Sequence, residues 1–189
     1  MTMIDPATGW FEIARIINPN SDEAQRAFDS CWLARYPRPV EVGFDNGSEF
    51  KWLFKELCTN MGITPKIITD YNPQANAIIE RVHQVLGNAL RTFEFEKREL
   101  DEKEPFEPFL TATAYAIRST YHTTLKATPG QLVFGRDMIL PVQFKANWAS
   151  IALRKQERIN QSNSQKNQNR IPHTYKIGDK VLLELPGKV

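Results

Sequence analysis

Residues 39–69 read PVEVGFDNGSEFKWLFKELCTNMGITPKIIT, a stretch that holds two strand-like runs around a helical one. Pro39 to Phe44 alternates as a short strand does and runs into Asp45-Asn46-Gly47, a turn sequence. Ser48 opens a helix through Cys58, whose apolar residues Phe50, Leu53, Phe54 and Leu57 recur at helical spacing, and Gly62 marks its end. Ile63 to Thr69 then reads as another strand. Alternation of strand, helix and strand predicts an α/β sheet covered by helices.

Outward from this unit the pattern continues. Met1 to Asp5 and Trp10 to Ile17 are aromatic and β-branched runs around Pro6-Ala7-Thr8-Gly9, the signature of a hairpin. Segment 21–36 opens on Ser21 as N-cap, places Asp22 and Glu23 where the helix dipole favours anions, and ends before Pro37. Downstream, a long helix is predicted over about 76–95, followed by an acidic connector and a helix near 106–121. Residues 160–170 shift to Asn, Gln and Ser with Lys and Arg, as in a polar linker or a frayed helix end. Tyr175 to Leu183 has the turn-then-strand character of the first strand of a small β-barrel.

The composition sets bounds. A chain of 189 residues with 41% apolar residues buries a core as one ordinary domain plus an appendage. Its 24 Lys and Arg against 22 Asp and Glu give a net charge of +2, which excludes a histone-like polycation, so any basic surface is local. Cys31 and Cys58 lack metal-ligand spacing, which predicts reduced thiols in the nucleus or cytoplasm. No apolar run is long enough to span a bilayer, so no membrane partner is expected.

The candidate chemistry lies in two carboxylates. At about 100° per residue, Glu80 shares a helix face with Asn76, His83, Gln84, Gly87 and Arg91, opposite Ile78, Val82, Val85, Leu86, Ala89 and Phe93. Alone, Glu80 reads as a solvated glutamate, and Asp45 as an ordinary turn aspartate. Together they differ, because Asp45 ends a strand of an α/β sheet, where sites usually form. Carboxylates brought side by side repel unless protonated or bridged by a cation, and Mg²⁺ favours a few carboxylates with water and phosphate oxygens. This pairing points to metal-assisted phosphoryl transfer.

Four motifs carry a resemblance: Phe44-Asp45-Asn46-Gly47-Ser48-Glu49-Phe50; Tyr71-Asn72-Pro73-Gln74-Ala75-Asn76 leading to Glu80-Arg81-Val82-His83; Ala127-Thr128-Pro129-Gly130-Gln131-Leu132-Val133-Phe134-Gly135-Arg136; and Gly178-Asp179-Lys180-Val181. In this order they resemble the integrases of retroviruses and long-terminal-repeat retrotransposons, nearest to gypsy-type elements. The resemblance implies a ribonuclease-H-like mixed sheet flanked by helices, in which two Asp and one Glu hold two Mg²⁺ (or Mn²⁺) ions. Asp45 looks like the second of these carboxylates and Glu80 like the third. Asp5 resembles a different landmark, the turn between the second and third strands, and is expected to set the bend before Pro6. The first catalytic Asp would lie on a strand ahead of Met1, so the resemblance implies a core lacking its first central strand and an inactive chain, truncated at both ends.

The same resemblance implies DNA as partner, with retroelement ends and target DNA both bound, and a homo-oligomer. Family lysines after the Glu are replaced by Gln84 and Gly87. Arg91 and Gln84 are candidate phosphate contacts or solvated polar residues; Gln74 and Asn76, near the helix start, contact DNA or serve as caps. Residues 154–170 carry five basic side chains and one acidic, as a DNA-tracking stretch or a solvated linker does. Glu94 to Glu107, with seven acids and three bases, is expected to stay away from DNA. Trp32 and Trp148 read as packing residues. The expected organisation is a catalytic core over 1–125, a helical extension and linker over 126–170, and a truncated barrel over 171–189. The alternative is a non-catalytic nucleic-acid-binding or interaction module derived from an integrase.

Overall fold

In a computed structural model, which describes residues 1–68, 73–95 and 106–168 with the isolated positions 170, 176–178 and 180, the N-terminal hairpin forms as its turn chemistry dictates. Strands β1 (Thr2–Ile4) and β2 (Phe11–Ile13) pair antiparallel, with Met3 opposite Glu12. Asp5 and Gly9 close the connection: the Gly9 N–H donates to the Asp5 carbonyl at 2.7 Å, and Gly9 takes φ +76°, a conformation glycine adopts without a steric penalty.

The decisive stretch folds as strand, helix, strand. β3 (Glu41–Phe44) and β4 (Thr64–Ile67) run parallel, joined through helix α2 (Leu53–Asn60). Pro65, which cannot donate to a ladder, sits on β4, whose four residues are all exposed, as an edge strand allows. The expected helix 48–58 is divided: Ser48–Phe50 makes one 3₁₀ turn, and α2 starts only after Trp52. The described residues thus form two separate two-stranded sheets, where a single mixed sheet was expected.

Helix α1 (Ser21–Phe28) joins them, packing against α2 and the 3₁₀ turn. Its N-cap is Asn20, not the expected Ser21: the Asn20 side chain accepts the Glu23 N–H at 2.9 Å. Ser21 is used elsewhere, with its Oγ donating to the Lys51 carbonyl and accepting the Phe54 N–H at 3.1 Å. The α-helix also stops at Phe28 and relaxes into a π turn over Asp29–Leu33, so segment 21–36 is not one regular helix. Beneath α1 lies the core: Met3 from β1, Ala24 and Phe28 from α1, Phe44 from β3, Phe54 and Cys58 from α2, and Ile63. Phe28, Phe44, Phe50 and Phe54 meet with ring centroids 5.2–5.4 Å apart, geometry that adds to their area burial. Burial pushes the Cys58 thiol up, away from its reactive thiolate form.

Helix α3 (Pro73–Phe95) packs against β1 and against α4 (Phe106–Ser119); α4 also packs on β2 and on α5 (Pro129–Phe134). α5 is fixed at both ends, by a reciprocal capping box between Thr128 and Gln131 and by Gly135 in the left-handed region. These elements belong to a compact unit, Met1–Asn147; a second unit, Trp148–Val189, contains α6 (Trp148–Asn167). Trp148, expected to pack, is 49% exposed, whereas Trp32 is half-buried against Tyr36. Asp179 and Val181 of the fourth motif and most of the acidic connector lie outside the described residues.

A buried charge joins hairpin and helices. Glu12, 3% exposed, receives Arg118 Nη2 from α4 at 2.5 Å, while Arg118 Nε donates to the Phe11 carbonyl at 2.6 Å. Tyr36 donates its hydroxyl to the other Glu12 oxygen; burial and that bond push the phenol up. The Arg118 guanidinium lies 4.7 Å from the Trp10 ring centroid, a cation–π contact. Arg35 Nη1 also lies 3.8 Å from the Glu12 carboxylate. Glu12→Ala leaves the Arg118 guanidinium without its carboxylate and should cost about 3–5 kcal/mol in urea unfolding, whereas Arg118→Ala leaves Glu12 with Arg35 and Tyr36 and should cost less. The Glu12→Leu/Arg118→Met double variant should lose far less than the sum; additive losses would show that the pair does not couple hairpin to helix.

Candidate functional site

Asp45 owes its place to Phe44. That ring is held in the aromatic cluster, so the next residue leaves the C-terminal end of β3 and is exposed. Asp45 Oδ1 accepts the Gly47 N–H at 3.1 Å, an Asx turn, and the chain winds into the 3₁₀ turn through Phe50 N–H to Gly47 C=O at 3.2 Å. The Glu49 carboxylate lies over Gly47, with Oε2 2.6 Å from where a Cβ would stand. Only glycine leaves it that place without a shift.

Glu80 is exposed on α3, and His83, Gln84 and Arg91 are exposed with it, as the helical periodicity predicts. Val82, Leu86 and Ala89 are half-buried on the other side, but Val85, expected in the core, is 47% exposed. Arg91 Nη1 donates to Asn88 Oδ1 at 3.4 Å, so it is tethered to its own helix. The helix begins at Pro73, a residue pre-set for the first helical position, so Asn76 is inside the helix and is not its cap. The Gln74 and Asn76 side chains, and Tyr71 and Asn72 of the motif, lie outside the described residues. His83 Nε2 and Thr2 Oγ1 are 2.8 Å apart, one helical turn from Glu80, which ties α3 to β1. Nothing in the sequence announced this bond across 81 positions.

Asp5 serves its turn. Its Oδ1 accepts the Ala7 N–H at 2.9 Å, and its Oδ2 accepts both the Thr8 N–H at 3.1 Å and the Thr8 hydroxyl at 2.5 Å. Thr8 Oγ1 in turn accepts the Trp10 N–H at 3.1 Å. Both carboxylate oxygens are therefore engaged in setting the bend.

Asp45 and Glu80 are accessible hard-oxygen donors of the kind that Mg²⁺ takes together with water and phosphate oxygens. Among the described residues, no three His, Cys, Asp or Glu side chains come together as a metal-holding group. The donor chemistry thus suits a cation shared with a phosphate, and the three-carboxylate set implied by the resemblance is not assembled from described residues.

No family model matches the chain. It is similar to the retrovirus-related Pol polyprotein from transposon 412 of Drosophila melanogaster, 23% identical over 145 residues, 76% of this chain and 11% of that protein. It is also similar to the Pro-Pol polyprotein of simian foamy virus type 3, 23% identical over 160 residues, 84% of this chain and 13% of that one. The Gag-Pol polyprotein of avian reticuloendotheliosis virus is 24% identical over 51% of this chain and 8% of its own length. The chain spans about a tenth of the length of these curated relatives. Among solved structures, a chain of the simian T-cell lymphotropic virus intasome in complex with PP2A regulatory subunit B56 gamma superposes with TM-score 0.60 at 20% identity, over 76% of this chain and 50% of that one. The catalytic core domain of BIV integrase gives 0.55 at 21% identity, over 68% and 80%. The HTLV-2 integrase catalytic core domain in complex with magnesium, in a trimeric form, gives 0.57 at 18%, over 69% and 80%. The fold is that of a retroviral integrase catalytic core, a mixed α/β ribonuclease-H-like fold, and the sequence relatives are Pol polyproteins of retroviruses and a retrotransposon.

If Asp5 belongs to the turn, Asp5→Ala loses about 1–2 kcal/mol of stability, and Asp5→Asn, which keeps an acceptor, loses less. Mn²⁺ affinity, measured by calorimetry, should be the same in wild type and Asp5→Asn. A loss of affinity in Asp5→Asn would make Asp5 a ligand.

Proposed function

We propose that the chain is a DNA-integration core that binds DNA at Asp45 and Glu80, with a divalent cation shared between these carboxylates and a phosphodiester. The observation that carries this reading is the position of Asp45. It is an exposed carboxylate at the C-terminal end of a parallel strand, oriented by the Gly47 N–H, in a fold otherwise found in integrase catalytic cores. With Oδ1 taken by Gly47, Oδ2 is the oxygen left to face a cation. Glu80 presents its carboxylate from a helix that the Thr2–His83 bond fixes against β1. Gln84 and Arg91, exposed on the same face, contact the DNA backbone.

Mg²⁺ or Mn²⁺ held there would lower the pKa of a water or 3′-hydroxyl nucleophile and offset charge developing on the phosphate. In the whole polyprotein, this chemistry is the cutting and joining of phosphodiesters during integration, carried out by a homo-oligomer on retroelement ends and target DNA. Asp45 and Glu80 are the carboxylates that would hold the cation, and Asp5 is engaged in its turn. It meets DNA in the nucleus or cytoplasm; no helix among the described residues is long and apolar enough to cross a membrane.

The locked Asp5 also favours a second reading, a non-catalytic nucleic-acid-binding module that keeps the fold after the chemistry is lost. Fluorescence anisotropy with a labelled DNA duplex separates the two. In Mg²⁺, the Asp45→Asn/Glu80→Gln double variant should bind about tenfold more weakly than wild type, a loss of about 1.4 kcal/mol, and in EDTA the difference should vanish. Equal affinities in Mg²⁺ would sink the metal-site reading and leave the binding module.

A further inference from the structure

Among the described aromatic side chains, Trp52 is the most exposed, at 83%. It also holds a backbone conformation, φ 51° and ψ −109°, that a bulky L-residue rarely adopts. Positions of this kind persist only where their surroundings over-determine them, and they cluster at functional sites.

The surroundings here can be named. Ser21 Oγ donates to the Lys51 carbonyl on one side of Trp52 and accepts the Phe54 N–H on the other. The Phe50 and Phe54 rings, 5.2 Å apart, are held in the aromatic cluster with Phe44. The Trp52 carbonyl itself accepts the Glu56 N–H at 2.9 Å, starting α2. With both neighbours anchored, the chain between them turns through positive φ, and the indole is left in water. Gly would take this backbone at lower cost. The sequence instead combines strain with a large apolar ring exposed to solvent.

The place of the ring suggests its occupant. Between Asp45 and Trp52 lie only the Asx turn and the 3₁₀ turn, six residues, so the seven steps could span at most about 25 Å if fully extended. At about 3.4 Å per phosphate along one strand, Trp52 is within roughly seven nucleotides of a phosphodiester held at Asp45. Charge is balanced around it, Lys51 and Lys55 against Glu49 and Glu56, so the local contribution must come from the ring face. Base–aromatic stacking has that character, because every base offers a π-face and unpaired bases offer it freely.

We infer that Trp52 is a nucleic-acid contact that stacks on an unpaired base of DNA held at Asp45. The inference rests on the proposed DNA-binding function and adds to it a preference for ends or distorted segments over intact duplex.

The test uses the full chain and two labelled DNAs, a blunt duplex and the same duplex with a single-stranded 3′ overhang carrying 5-iododeoxyuridine. Trp52→Ala should weaken overhang binding about 5- to 50-fold, Trp52→Phe should stay within about threefold of wild type, and blunt-duplex binding should change less than about twofold. The loss should be the same at 50 and 200 mM salt, although overall affinity falls with salt. Irradiation should crosslink wild type and not Trp52→Ala. Trp52→Gly, which relieves the strained φ, should melt higher than wild type while binding the overhang as weakly as Trp52→Ala, which excludes misfolding as the cause. Equal overhang affinity in wild type and Trp52→Ala would overturn the inference and leave the proposed function standing. If wild type binds neither DNA, both are overturned. If Trp52→Ala changes the sedimentation coefficient and not DNA affinity, the ring belongs to a protein interface, and the inference fails.

Discussion

The ion pair between Arg118 and Glu12 is the contact on which the placement of the other elements depends. It spans 106 residues of sequence and joins the N-terminal hairpin to α4, with a second bond from Arg118 to the Phe11 carbonyl fixing backbone as well as side chain. Glu12 is almost removed from water, at 4% side-chain exposure, and Arg118 is partly so, at 19%, with Arg35 a second, looser cation 3.8 Å from the same carboxylate oxygen. Through β2 the pair holds β1, and through Thr2 the hairpin holds His83 on α3. The hairpin is thus bonded both to α4 and to the helix that carries Glu80.

Asp45 depends on a different constraint, the packing of Phe28, Phe44, Phe50 and Phe54 under α1. Met3 of one sheet and Phe44 of the other enter this same core, so two sheets that share no ladder among the described residues share side chains. Ser21 contributes by bridging Lys51 and Phe54, and in doing so strains Trp52. Packing that positions the end of β3 thus also sets the exposed indole.

Local chemistry was legible in the sequence. The strand, turn, helix and strand of residues 39–69, the hairpin around Pro6 to Gly9, the turn role of Asp5 and the polar face of α3 all follow from spacing and turn residues, and each is present. What failed to show was decided by tertiary contact. Asn20 and Ser21 are both good caps, and the choice went to Asn20 because Ser21 is recruited across 30 residues to Lys51. The helix after Ser48 was expected to be continuous, but anchoring of Phe50 and Phe54 breaks it at Trp52. The Glu12–Arg118 pair had no local signal, since a glutamate in a strand and an arginine near a helix end each read as ordinary surface residues. Around the candidate site, the turn at Asp45 and the polar face carrying Glu80 were legible, while the Thr2–His83 bond that ties that helix to β1 was not.

If Asp45 and Glu80 share a divalent cation while Asp5 remains a turn residue, a crystal of the full chain grown with Mn²⁺ will show it in anomalous difference density. A peak should bridge the Asp45 and Glu80 carboxylates, with Asp5 still accepting the Ala7 and Thr8 N–H groups. A peak at Asp5, or Mn²⁺ bound elsewhere with Asp45 and Glu80 bare, would contradict it.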